Sequence, residues 1–425
     1  MRRFHVDVVT RSRRLHWRHT FALGLLASAC TADDLPVQGP TVRDSAGVTI
    51  VENRSADRQP VMLGEPALRI GAVEGQPEYL FDDVVGAARF DDGRIAVLDR
   101  GSAQLRFYDP EGRFISAFGG RGEGPTEFLA PAGPRRLDRD TLMLWDARRQ
   151  RILVVAPDGS LARETGFDRA SLTRLLADHG LSPGGVLQSG LLQPVDEQRR
   201  IVGGLLLSAP DAPTAGAYRM EFHVLLADDN ASNAIMLGNY GEARMNIEGE
   251  DSAPDPFTHA GQVDIGGRPP IVVAGDPERY ELRVFDGAGS LQRVIRMDGP
   301  RTAVTPASVE AAHRDWLDLW SPGVGAARAE DMWVRAPIGD SLPAFRSILV
   351  TTNGGVWVEH FQPAGAATSR WDVFSPDGAF LDAAVGPSRL RLLEVGPGFV
   401  LALRRDENDV EFVELYRSPD SLPRR

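Results

Sequence analysis

Four aspartates recur in this chain at one kind of position. Asp99, Asp146, Asp276 and Asp406 each end an apolar run and open a tight turn. Carboxylates that repetition brings to one rim can hold a hard cation such as Ca²⁺ through oxygen, or join imidazole around Zn²⁺. The same residues can instead cap their own turns by accepting backbone N–H groups. His179, His259, His313 and His360 are spread along the chain, with no two at metal-ligand spacing. There is no Gly-x-Ser-x-Gly elbow, phosphate-binding loop or Cys/His nucleophile pair, so no catalytic residue is assigned. Two further groups suit recognition. Arg121 and Glu123 share one linker, as ligand contacts or as an ion pair pinning it. Trp316, Trp320 and Trp333 cluster in the longest insertion, as aromatic contacts or as packing.

The elements that must position these residues repeat. One turn type is Asp91-Asp92-Gly93, Asp138-Arg139-Asp140, Ile265-Gly266-Gly267 and Asn353-Gly354-Gly355. A second follows a Phe/Val-rich run: Asp109-Pro110-Glu111-Gly112, Pro157-Asp158-Gly159, Asp286-Gly287-Ala288-Gly289 and Pro376-Asp377-Gly378. Weaker copies stand at Leu226–Asn230 and Tyr416–Asp420. Period-two apolar runs between such turns predict antiparallel hairpins, because the turns need residues that accept positive φ. The order is strands a, b, c and d, repeated six times. The sixth copy has only three strands, and Leu68-Arg69-Ile70 is expected to complete it from the N-terminal side. In this order the a–b and c–d turns lie at one end of every sheet, and the b–c and d–a connections at the other. The long connections, 167–182, 208–217, 239–257 and 298–345, are all of the second kind, so insertions gather on one face. The largest begins with a helix. Thr305 suits its cap and Pro306 its first turn, while Val309, Ala312, Trp316, Leu319 and Trp320 form an apolar stripe. A second short helix is expected over 170–177.

The run Gly119-Gly120-Arg121-Gly122-Glu123-Gly124-Pro125-Thr126-Glu127-Phe128, followed by strand, Asp turn, strand and Asp-Pro-x-Gly, resembles NHL-type repeats. Across residues 47–420 the chain resembles the six-bladed β-propeller lipoproteins of bacteria. The resemblance implies an all-β fold: a six-bladed β-propeller of four-stranded antiparallel blades, closed by an N-terminal strand and carrying a helical insertion at about 303–335. It implies no single activity. Gluconolactonase-like and amidating-lyase propellers are metal-dependent enzymes, but their ligands do not carry over to positions here.

The first 29 residues are a different matter. Six Arg precede a short apolar core, Phe21 to Ala27, and Ser28-Ala29-Cys30 follow. This is the form of a signal peptide over 1–29, with Cys30 placed as in bacterial lipoprotein signals. Residues 30–46 read as the lipidated Cys and a flexible tether, and 47–425 as the propeller. The chain has no Lys and only this one Cys. Removing 1–29, which holds six Arg and one Asp, takes the formal charge from −12 to −17. Such an acidic chain without basic clusters is a poor partner for nucleic acid. Membrane contact is expected through the lipid on Cys30 alone. The expectation is an exported, lipid-anchored, monomeric binding or interaction module of the cell envelope. It needs no cofactor, and its partner is an envelope protein or a small ligand at the b–c and d–a loops. The competing expectation is a Ca²⁺- or Zn²⁺-dependent hydrolase or lyase at the channel mouth.

Overall fold

The structure is a computed structural model and describes residues 39–54, 59–137, 140–166, 192–195, 200–207, 215–228, 233–248, 251–299, 301–362 and 365–418, with single positions 170, 174 and 177. The signal segment, Cys30, His179 and most of the helix expected over 170–177 lie outside them.

The described strands form six sheets in chain order. The innermost strands are Val84–Arg89, Pro131–Arg136, Leu192–Pro194, Gln262–Gly266, Phe345–Val350 and Leu390–Gly396. Each sheet touches the next, and the sixth touches the first. This is the arrangement of a β-propeller. The core is divided accordingly, into apolar clusters at the seams. Ala88, Phe107 and Phe118 of the first sheet meet Leu142, Leu153 and Val155 of the second. Val84, Ala87 and Val97 meet Leu401, Leu403 and Val413 across the seam between the sixth and the first. Two glycines allow the inner strands to approach. A Cβ on Gly86 would stand 2.0 Å from the Gly133 carbonyl oxygen, and one on Gly266 would stand 2.4 Å from that of Val350.

Residues Leu68–Ile70 pair antiparallel with Glu411–Arg417 and complete the sixth sheet. The N-terminal segment does more than the sequence suggests. Val48–Arg54 runs parallel to the outer strand of the fourth sheet, Leu291–Asp298, and Val61–Met62 runs parallel to that of the fifth, Phe380–Pro387. Thr41–Ser45, expected in the tether, is a strand paired with Val48–Arg54. Only the first, second and sixth sheets are therefore four-stranded; the third and fifth have five strands and the fourth has six. The 239–257 connection is also corrected. Ala215–Asp228 and Ala234–Glu248 make one long hairpin, extended by Asp251–Pro254. Gly238 and Gly241 sit at positive φ inside the second of these strands, where the sequence reading ends the strand and begins the connection.

The insertion is two helices, α1 (Pro306–Val324) and α2 (Ala326–Arg335). The Ser308 N–H donates to Thr305 Oγ1 and the Thr305 N–H to Ser308 Oγ, a reciprocal cap. The stripe is rotated from the expected one. Ser308, Ala311 and Trp316 are buried, whereas Leu319 is 72% exposed. Ion pairs join α2 to the long hairpin of the third sheet, with Arg335 3.1 Å from Glu248.

Asn53 fastens the N-terminal strap. Its amide donates to the Arg296 and Gly378 carbonyls at 3.2 and 3.0 Å, and its oxygen accepts the Phe380 N–H at 2.7 Å, tying the fourth sheet to the fifth. Because the side chain is 2% exposed, Asn53→Ala leaves buried groups unpaired. The expected loss is about 2–3 kcal/mol in urea unfolding; a loss below about 0.5 kcal/mol would mean that the strap does not hold these sheets.

Candidate functional site

A cavity of about 1310 Å³ runs between the inner strands and is lined from five of the six sheets and from α1. Ligand pockets of about 300–1,000 Å³ are usual, so this space is ample for a small molecule.

Its polar lining divides into two kinds. The first serves the fold. An inner strand has one edge with no neighbouring strand, so its N–H groups need acceptors. Glu411 of the sixth sheet, which does not itself line the cavity, accepts the N–H of the lining residue Val84 at 2.6 Å. Glu394 accepts the Arg89 N–H at 2.6 Å, and Asp264 accepts the Val350 N–H at 2.7 Å. Each reaches from one sheet to the next. Burial raises the Glu394 carboxyl to about 7, against the pull of Arg136, the Arg89 N–H and Arg268. Burial likewise raises Asp264 to about 6, against two backbone N–H groups and Arg135. The Arg136 Nε lies 3.6 Å from Glu394, too far for a hydrogen bond, while its Nη1 is 2.6 Å from Asp91 and 3.0 Å from Asp140.

The second kind stands at the mouth on the face that carries the insertion. Asp315 and Asp318 come from α1, Arg346, Ser347, Glu359 and His360 from the fifth sheet, and Arg391 from the sixth. The Ser347 hydroxyl donates to Glu359 at 2.6 Å. His360 Nε2 is 2.9 Å from Asp372 Oδ1, and the Tyr280 hydroxyl donates to Asp372 Oδ2 at 2.5 Å. Burial first, then Asp372, raises the Tyr280 phenol well above its ordinary range, so it is a permanent donor there.

The four repeated aspartates do not converge. Asp99 accepts the Asp82 N–H at 3.0 Å and the Ser102 hydroxyl at 2.6 Å, with Arg106 at 3.3 Å. Asp146 accepts the Leu129 and Ala130 N–H groups, each at 3.1 Å. Asp276 and Asp406 accept N–H groups of their own turns. Asp99 and Asp146 thus hold the linkers that lead into their sheets as well as their own turns. Arg106 and Arg151 grip the same linkers, donating to the Leu80 and Pro125 carbonyls at 2.8 and 3.0 Å. Among the described residues no group of three or more His, Cys, Asp or Glu is disposed to hold a metal.

Arg121 and Glu123 are exposed and line no part of the cavity. Arg121 donates to the Gly101 carbonyl at 2.9 Å, so it fixes the linker through backbone, without Glu123. Trp316 is buried, its indole N–H donating to the Ala329 carbonyl at 2.9 Å. Trp320 and Trp333 pack on it with ring centroids 5.6 and 5.7 Å away, and Ala253 and Met332 complete a small core. The tryptophans hold the insertion together, and the opposite side of α1 gives Asp315 and Asp318 to the mouth. Sequence reading missed Arg346, Arg391, Glu359, Glu394 and Asp264. Glu359 stands in the second strand of the fifth sheet and the other four in inner strands; their one signal is a charge inside an otherwise apolar strand.

No protein-family model matches the chain, and no curated protein matches it. Solved structures do. A putative exported protein of Bacteroides fragilis is 10% identical, with 87% of this chain and 99% of that one covered, at a TM-score of 0.44. A DUF4221-family member from Bacteroides vulgatus is 10% identical, with 84% and 97% covered, at 0.46. Regucalcin, a calcium-binding protein of Agrobacterium tumefaciens, is 11% identical, with 84% and 97% covered, at 0.37. The fold assignment rests on the strand pairings described above.

The raised Glu394 carboxyl sets a pH dependence. The folded chain holds that proton more tightly than the unfolded one, so folding takes up a proton between about pH 4.5 and 7. The stabilisation is complete below that window and is lost as pH rises through 7. The displacement from 4.5 to about 7 corresponds to about 3 kcal/mol. Glu394→Gln keeps an acceptor for the Arg89 N–H and removes the charge. Its urea midpoint should equal that of the native chain at pH 5 and exceed it at pH 8; an equal drop in both proteins would contradict the assignment.

Proposed function

We propose that this chain is an exported six-bladed β-propeller, anchored by lipid on Cys30, that binds a small ligand at the mouth of its central cavity. Each of the six sheets is one blade, and the pairing of Leu68–Ile70 with Glu411–Arg417 closes the ring. No described helix is long and apolar enough to cross a membrane. The observation that carries the reading is the cavity itself, about 1310 Å³, with charged and polar side chains gathered at its mouth. A preformed concave site with a few converging polar groups is the usual form of a small-molecule site. Two features support binding over catalysis by metal: the repeated aspartates spend their oxygens on backbone N–H groups, and the mouth presents a mixed set of charges instead of a ligand cage. The insertion is read as a rim that narrows the mouth, held by the tryptophan core and by ion pairs to the third sheet.

The test is thermal denaturation of the purified protein against a broad library of small metabolites. At least one compound should raise the melting temperature, and the rise should vanish in Ser347→Trp and in Ala132→Trp, which fill the mouth from two sides. A partner protein captured from the envelope that still binds both variants, with no stabilising small molecule, would move the function off the cavity. Stoichiometric Ca²⁺ or Zn²⁺ that is lost from Asp99→Asn and Asp146→Asn would favour the metal-dependent enzyme.

A further inference from the structure

Among the described residues eight arginines line the cavity, and four of them, Arg136 among them, are paired with carboxylates. Arg100 lies 2.6 Å from Asp83, Arg405 lies 2.6 Å from Glu411, and Arg389 pairs with Asp409. Arg346 and Arg391 differ. Among the described residues, no carboxylate lies within ion-pair distance of either. Arg391 donates to the Val84 carbonyl; Arg346 has only the longer-range attraction of Asp315. They also hold corresponding places. Each is the second residue of an inner strand, Phe345–Val350 in the fifth sheet and Leu390–Gly396 in the sixth, and these two strands touch. Both line the cavity.

Two unmatched guanidiniums at one mouth are unexpected in a chain with 59 acidic and 47 basic side chains. If the need were only for solubility, carboxylates were available. Arg391 also bears a cost. Water reaches it through the cavity, yet protein encloses it on most sides, and burial together with Arg405 and Arg100 lowers its hold on its proton against the pull of Glu411 and Asp83. An anion placed beside it would relieve that cost and gain charge-assisted hydrogen bonds.

We propose that Arg346 and Arg391 form an anion site at the cavity mouth, which takes a small ligand through one carboxylate or phosphate group. This deepens the cavity-binding reading and rests on it. The other charges at the mouth limit the ligand. Asp315 and Asp318 on α1, and Glu359 next to His360, repel further negative charge, so the fitting ligand carries one anionic group and is not a polyanion.

Calorimetric titration of the full-length protein with inorganic phosphate, with lactate and with glucose, at low ionic strength, tests this. Phosphate or lactate should bind, and whichever of them binds more tightly tells the two anion classes apart. Arg346→Gln and Arg391→Gln should each weaken that binding by about tenfold or more, the fold-change of one lost hydrogen bond to a charged group. Arg391→Lys, which keeps charge but not the forked donors, should recover part of it. Circular dichroism of each variant establishes that it is folded. The anion site is overturned if neither anion binds the native protein, or if both bind the folded double variant unchanged. Glucose or another neutral compound that binds, and is blocked by Ser347→Trp, while the anions do not, sinks the anion site and leaves the cavity reading standing. No binding by anions, sugars or any library compound sinks both.

Discussion

Each sheet of this molecule begins with an inner strand whose far edge has no strand to pair with, and the rest of the structure answers that constraint. Buried carboxylates from adjacent sheets accept the stranded N–H groups: Glu411 for Val84, Glu394 for Arg89, Asp264 for Val350. The acceptor comes from the next sheet, so satisfying the backbone also sets the spacing of neighbours. Gly86 and Gly266 permit the close approach this needs. Where the chain enters the first and second inner strands, Asp99 with Arg106 and Asp146 with Arg151 hold the linkers that deliver it. Burying these charges is costly. Directed hydrogen bonds from backbone N–H groups offset part of that cost, and two of the carboxyls, Glu394 and Asp264, keep their protons more tightly than exposed ones do.

This constraint explains why carboxylates line a central cavity without forming a metal centre among the described residues. It also separates what the fold consumes from what it leaves over. Glu394 and Asp264 are engaged by backbone. Arg346 and Arg391 face the same space without a carboxylate, and on the proposed reading they await a ligand's. The seam-by-seam core agrees with this division. Apolar side chains pack between sheets, as in the cluster of Val273, Leu282, Phe345 and Val358, while the inner strands bring both apolar and polar groups to the cavity.

Much of the architecture was legible because its signals are local and repeated. Gly93, Gly112, Gly159, Gly289, Gly354 and Gly378 all adopt positive φ in the turns where the pattern put them, and Leu68–Ile70 completes the last sheet. Other features depend on partners far away in sequence. Val48–Arg54 looks like any apolar strand, and only the exposed edge of Leu291–Asp298 makes it a parallel addition. The long hairpin of the third sheet extends through 239–248, which reads as a connection in the sequence, with Gly238 and Gly241 at positive φ within the paired strand. Leu319 fits the apolar stripe of α1 by spacing, yet the helix turns Trp316 toward α2 and leaves Leu319 in solvent. The site was least legible. The aspartates were visible because they repeat, but repetition marked a structural duty. A single arginine in an inner strand reads like an exposed edge residue until the ring places it at a mouth.

The cavity mouth is open and holds two guanidiniums, Arg346 and Arg391, with no carboxylate partner among the described residues. Modification by phenylglyoxal, mapped by mass spectrometry with and without the anion that binds, tests it most directly. Arg346 and Arg391 should react in the native protein and be protected by the anion, while Arg113, exposed beside the 109–112 turn and outside the cavity lining, should react equally in both. Arg346 and Arg391 left unmodified while Arg113 reacts, or modified at the same rate whatever is bound, would contradict it.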